Sequence, residues 1–295
     1  MGSSNQGKAV SLTTNVYNDT ANISDLSMAL TALDSERWEE VSYNHANGFL
    51  PGTLIEFTDP NSSFEVKAKA LDDINDQIFH QTSTYEATYL VVPILVEECA
   101  QQHLDHRFLI CRLAGLISLE QVPRPAALEE AEWKTYRESL KLAADKSIDL
   151  VKNDIPKDDD GVIYLVCAIA ALCGERDLGW RLRHGMEEDG HECQHCKKEF
   201  QSCCYAIQSE DAKTRDDYLN FTETSMYAQP IKRFVGDQQV KPRKTFPQGS
   251  TEGWLTELCE QYGHVKCGRW LRYFFGSCAC PNCEAEIELL SLGSH

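Results

Sequence analysis

Apolar residues recur every three or four positions over most of the first 185 residues, the period of a helix with one face on a core. In residues 65–79, Val66, Ala70, Leu71, Ile74 and Ile78 share one side. Residues 84–100 form a denser apolar helix containing Pro93, which removes one backbone bond and predicts a kink. Residues 107–119 form another apolar helix. Residues 125–154 read as one long amphipathic helix bearing Leu128, Trp133 or Ala131, Tyr136, Leu140, Ala144, Ile148 and Val151, ended by Pro156 and Asp158-Asp159-Asp160. Residues 162–173 are apolar all round, so they predict the most buried helix; Gly174 stops it and residues 176–184 supply a partner. Upstream, Ser24-Asp25 caps a helix carrying Leu26, Met28, Leu30 and Leu33, and residues 35–43 form a short helix. Asn47-Gly48 and Pro51-Gly52 mark turns before an extended stretch at 53–57. Residues 1–22 have no period and read as a disordered tail.

The pattern changes after Gly190. A strand is expected over 199–207, and residues 211–247 are poorly periodic. Within them, residues 228–246 carry Lys232, Arg233, Lys241, Arg243 and Lys244 against Asp237, a basic loop. Ser250 or Thr251 then caps a helix with Trp254, Leu255, Leu258, Cys259 and Tyr262. Gly263 breaks it, residues 265–275 add a second helix with Trp270, Leu271, Phe274 and Phe275 as core, and residues 280–290 add a strand.

Chemistry concentrates in two C-x-x-C pairs, Cys193/Cys196 and Cys280/Cys283, each followed four residues later by a large apolar residue, Phe200 and Ile287. Four thiolates complete the tetrahedral shell of a structural Zn²⁺ and leave no position for water. The chain has 13 Cys, and an odd count with two such pairs reads as reduced thiols plus metal rather than a disulfide framework. His191, His195, Cys203, Cys204 and Cys278 are the available substitutes for a ligand. His191-Glu192-Cys193-Gln194-His195 also matches H-E-x-x-H, in which two His one helical turn apart hold Zn²⁺ and Glu activates water. Its flanks, Glu187-Glu188-Asp189-Gly190 and Lys197-Lys198, supply no apolar helix face, so the match reads as coincidental. No H-x-E deaminase signature, nucleophile elbow or phosphate-cradling glycine loop is present. His80, His103 and His106 lack acidic or Cys partners at ligand spacing and read as turn and surface residues.

The segment His80-Gln81, Tyr85, Ala87-Thr88 and Pro93-Ile94-Leu95-Val96 resembles bacterial HEAT-like proteins, in which a His-Gln turn leads into a Tyr-x-Ala-Thr helix and a Pro-containing apolar segment. The likeness covers about residues 65–185, without a clean fixed period. The paired knuckles resemble a zinc ribbon split by a long insertion. The expected fold is therefore mainly α: a HEAT-like helical stack at 23–190, then a split zinc-ribbon-like β element at 191–295 carrying the basic loop and a helical hairpin.

The net charge of −18 disfavours nucleic-acid and anionic-membrane surfaces and suits a basic protein partner. Residues 162–173 are too short to span a bilayer and the N-terminus is polar, so a cytoplasmic protein is expected. The functional expectation is non-catalytic: a zinc-stabilised protein-binding protein, with an immunity or antitoxin-type inhibitor as one use of an acidic helical face. The resemblance and the charge together carry that last step. A zinc hydrolase using His191, Glu192 and His195, and a nucleic-acid adaptor using the ribbon and basic loop, are the alternatives.

Overall fold

The computed structural model describes residues 36–44, 49–80, 83–120, 123–157, 159–187, 190–203, 232–235, 240–280 and 282–289. The expected tail at 1–22, the helix after Ser24-Asp25, the Asn47-Gly48 turn and residues 228–231 and 236–239 of the basic loop lie outside them.

The described chain is mainly helical. Its first segment is a short 3-10 turn, Glu36–Glu39, rather than a helix over 35–43. Trp38 is buried, and Arg37 pairs with Glu132 at 2.8 and 2.9 Å and donates to the Ala127 carbonyl. These bonds tie the segment to a helix some 95 residues away.

Helix α1 spans Leu50–Thr58, where an extended stretch was expected from Pro51-Gly52. Proline in the first helical turn loses an N–H that has no partner there, so it starts the helix rather than forbidding it. Leu50, Leu54 and Phe57 then fall on one buried face. Helix α2, Phe64–Ile78, begins at Ser63, whose hydroxyl accepts from the Val66 amide. A two-residue hairpin, β1 (Phe79–His80) with β2 (Ser83–Thr84), replaces the expected start of the next helix. Helix α3 therefore starts only at Thr88 and runs to Glu98. Thr88 accounts for this: its buried hydroxyl donates to the Ile78 carbonyl at 2.5 Å and accepts from the Tyr85 amide at 3.0 Å.

Helix α4 (Leu104–Leu119) and helix α5 (Glu130–Asp149) follow. Glu129 caps α5 through a capping box with Glu132. The helical rise continues through Leu150–Asp154, but as a single π turn. Helix α6, Val162–Leu172, is buried along almost its whole length, as its all-round apolar pattern predicts. Gly174, at φ +93°, ends it, with the Glu175 amide returning to the Ala170 carbonyl, and α7 (Arg176–Glu187) packs back on it.

The helices pack in layers, α3 on α5 and α4 on α6, with α5 also touching α4 and α6. The α4–α6 crossing is close because Gly115 faces Ala168: a Cβ at Gly115 would overlap the Cα and Cβ of Ala168. The C-terminal hairpin, α8 (Thr251–Gln261) and α9 (Val265–Phe274), is capped by Ser250 and broken at Gly263, φ +89°, as its sequence predicts. It docks on α6 and the π turn, where the buried His264 ring meets the Val151 carbonyl at 2.8 Å. Trp270, Leu271, Phe274 and Phe275 join one core continuous with that of the stack.

His103 and His106 do meet, but over an aromatic ring rather than a ligand set. Phe64 stacks on His106 at 4.6 Å and meets His103 edge-on at 5.0 Å. His106 is only 2 % exposed and neither ring nitrogen has a partner. Burial, and then the charge of His103, push its pKa down, with Lys67 adding to them and Asp105 and Asp72 pulling back. The folded protein thus refuses a proton that the unfolded chain accepts near pH 6.5, so stability is lost as pH falls through that value. Urea midpoints at pH 7.5 and 5.5 should differ less for His106→Phe than for the native chain; an equal difference would show that His106 is not the group responsible.

Candidate metal centre

Each C-x-x-C pair sits at the tip of an antiparallel hairpin. The first hairpin is β3 (Gly190–Glu192) with β4 (Glu199–Cys203), and β5 (Lys232–Val235) adds to β4 in parallel. The expected strand over 199–207 is described only as far as Cys203. The second hairpin is β7 (Ser277–Ala279) with β8 (Glu286–Glu288), and β6 (Val240–Lys241) pairs with the outer edge of β7. Ile287, the apolar residue after the second knuckle, is buried.

The two tips repeat the same backbone bonds. Lys197 donates its amide to the Cys193 carbonyl at 2.8 Å, and the Cys193 amide donates to the Lys198 carbonyl at 3.0 Å. In the second tip Glu284 donates to Cys280 at 2.9 Å, and Cys280 donates to Ala285 at 2.8 Å. Turning the chain this tightly puts the residue after each second Cys in the left-handed region, Lys197 at φ +58° and Glu284 at φ +63°. A side chain there costs about 1 kcal/mol that glycine avoids. Lys197→Gly and Glu284→Gly are each expected to raise the thermal midpoint of the metal-loaded protein; a lower midpoint for both would contradict this geometry.

The turns bring four thiols from residues 84 to 90 positions apart into one cluster. The sulfurs of Cys193, Cys196, Cys280 and Cys283 all lie within 4.8 Å of one another. Two cross-knuckle separations, Cys193 to Cys283 and Cys196 to Cys280, are 3.7 Å. A disulfide would bring sulfurs to about 2.0 Å. A tetrahedron with metal–sulfur bonds of about 2.3 Å has edges of about 3.8 Å, which these separations match. The donor set therefore fits a thiophilic metal ion such as Zn²⁺, held by all four sulfurs.

The local electrostatics favour a thiolate at Cys193 and oppose one at Cys283. Burial pushes the Cys193 thiol up, but the amides of Cys196 and His195 and the neighbouring thiols outweigh it and bring Cys193 down to about 6. The Ala285 amide pulls Cys283 down, yet burial and the crowd of Cys280, Cys196 and Cys193 leave it pushed up to about 12. Four sulfurs this close cannot all ionise without a cation among them. The Asn282 amide points at the Cys280 sulfur, 3.4 Å away.

Of the possible substitutes, Cys278 is buried on β7 but outside the four-sulfur group; burial, then Cys280 and Cys193, push it up to about 11. His195 is exposed in the knuckle turn and is not in the group. His191 and Cys203 lie on strands whose side chains are outside the described residues, as is Cys204 altogether. The H-E-x-x-H match fails on backbone grounds: His191 and Glu192 end strand β3, and His195 lies in the turn beyond it. The two His cannot share the helical face that such a catalytic centre requires. In the basic loop, Lys241 pairs with Glu286 at 3.3 Å, and Arg272 holds the Arg243 and Lys244 carbonyls at 3.1 Å. That part of the loop is tied to the second sheet and to α9.

The left-handed tips were not readable from sequence, because Lys197 and Glu284 carry none of the glycine signal that marks such a turn. The strands leading into the knuckles are three to five residues long and carry too few positions for a period of two. Comparisons of the chain with protein-family models, with characterised proteins and with solved structures gave no match. No described helix is long and apolar enough to cross a membrane.

Proposed function

We propose that this chain is a zinc-stabilised, non-catalytic protein-binding protein. The observation that carries the reading is the closed four-sulfur group: with every tetrahedral position taken by protein, no coordination site remains for a substrate or an activated water. The metal then acts as a staple between two three-stranded sheets, in the manner of a split zinc ribbon. The layered packing of α3 on α5 and α4 on α6 supports a HEAT-like reading of the helical part, a scaffold type used for holding partners.

The proposed partner is a basic protein. The net charge of −18 supports this, as does crowding of acids at one place on the helical surface. Burial and then Asp149 push Asp145 up, with Lys152 pulling it back, while burial, Asp145 and Glu175 push Cys173 up to about 11. Asp145 and Asp149 lie close enough to repel one another, and Asp145 and Glu175 both approach Cys173, so a cationic partner would be favoured there. Capture and blocking of a basic toxin, as an immunity-type inhibitor does, is the specific form proposed.

The test is capture from the native cell with the tagged chain at low and high salt, beside Asp145→Asn/Asp149→Asn/Glu175→Gln. A stoichiometric basic protein, lost at high salt and in the triple variant, is the expected result. A partner retained equally by the triple variant would refute the proposed surface.

A further inference from the structure

A cavity of about 230 Å³ lies where the ends of α4 and α6 meet the middle of α5, well away from the four-sulfur group in sequence. One wall is aromatic. Trp133 and Tyr136, one turn apart on α5, stack at 5.3 Å and 28°, and Tyr89 from α3 meets them edge-on at 5.4 and 4.9 Å. Tyr89 is itself pinned, its hydroxyl 3.0 Å from the Thr84 hydroxyl. Trp133 is only partly buried, so part of its ring is left for a ligand.

The mouth is cationic in an acidic protein. Arg137, Lys141 and Arg176 line it against one carboxylate, Glu120. Neither Arg137 nor Arg176 is ion-paired to a described residue. Arg176 also begins α7, whose N-terminal end carries the positive pole of the helix dipole. Capping of helix C-termini does not explain these cations at α6, because the turn at Gly174 already returns amides to the Ala171 and Ala170 carbonyls.

Two ligand classes could use aromatic rings here, and charge and geometry separate them. An ammonium cage needs rings standing apart around an open centre. These three rings touch one another, and the two arginines alone, Arg137 and Arg176, outnumber the single acid Glu120. An anion is favoured on both counts. The volume is below the usual range of about 300–1,000 Å³ for drug-sized ligands, so the ligand is small.

We infer that this cavity binds a small planar aromatic anion, its ring on Trp133 and its carboxylate or phosphate between Arg137, Lys141 and Arg176. The site is separate from the metal staple and adjoins the proposed acidic docking surface, since Glu175 lies between the lining residues Gly174 and Arg176.

Titration calorimetry on the full metal-loaded chain tests this with four probes: indole-3-acetate, AMP, adenosine and inorganic phosphate. One of the two ring-bearing anions is expected to bind at least about tenfold more tightly than adenosine or phosphate, and which one distinguishes carboxylate from phosphate as the anion. Arg137→Gln/Arg176→Gln changes two exposed side chains and should weaken that binding by about tenfold or more while leaving the thermal midpoint unchanged. Trp133→Leu should do the same if it folds. The proposal is overturned if neither ring-bearing anion binds at millimolar concentration, or if the arginine double variant binds the preferred probe with a smaller loss.

Discussion

Replacing Cys280 and Cys283 with serine is expected to abolish stoichiometric zinc binding and to open both knuckle hairpins, while the helical stack keeps its structure. A structural zinc site contributes about 10–16 kcal/mol of apparent binding energy, and short strands have little else to hold them. The four strands that carry the knuckles are three to five residues long, and their cross-link joins segments 84 to 90 positions apart in the chain. Their loss should not spread far. The α8–α9 hairpin keeps Trp270 and Phe275 buried in the core it shares with the stack, and His264 anchors it on the Val151 carbonyl. Amide exchange should therefore accelerate across 190–203 and 277–289, with α4 to α6 unchanged. Zinc retained in the double variant, with protection intact, would mean that other residues hold the metal. Acidification should act in the same direction, since each thiol must lose its proton to bind and regains it as the metal leaves.

The second large effect is expected at Gly115. Its Cβ position is occupied by the backbone and side chain of Ala168, so alanine there forces α4 and α6 apart along a core-to-core contact. Overpacking of this kind costs about 1–3 kcal/mol, and the obstacle here includes a backbone atom, which cannot rotate away. Against a total stability of about 5–15 kcal/mol that is a large fraction. Gly52 supplies the contrast. It also lies in a helix, but a Cβ there meets only the Phe49 ring edge at 3.9 Å. Gly52→Ala should therefore be neutral or stabilising by up to about 1 kcal/mol, through helix propensity alone. Urea unfolding of the two variants measures the difference; equal midpoints would mean the helices are not in close contact at Gly115.

Helices α2 and α4 to α9 were legible because each buries a face long enough to show a period, and because Ser250, Gly174 and Gly263 mark ends with a backbone reason. Reading failed where the same residue has two meanings. Pro51-Gly52 is a turn signal in isolation and a helix start once Leu50, Leu54 and Phe57 have a core to face. The π turn after Asp149 leaves the apolar pattern nearly unchanged, so 125–154 reads as one helix. Gly115 gives no sign of its role, since the close approach depends on Ala168 from another helix. For the metal centre the spacing inside each pair identified all four sulfurs that the structure brings together. The cavity beside Trp133 was invisible, because Trp133 and Tyr136 read as an ordinary core stripe and the cations around them come from two helices.

The central claim is that four thiolates close around one metal ion and leave it no open position. X-ray absorption at the metal, on protein purified under reducing conditions with its metal content counted, tests it most directly. The account predicts one zinc per chain surrounded by four sulfurs at about 2.3 Å. A nitrogen or oxygen ligand at about 2.0 Å would contradict it, as would a chain that folds fully with no metal bound.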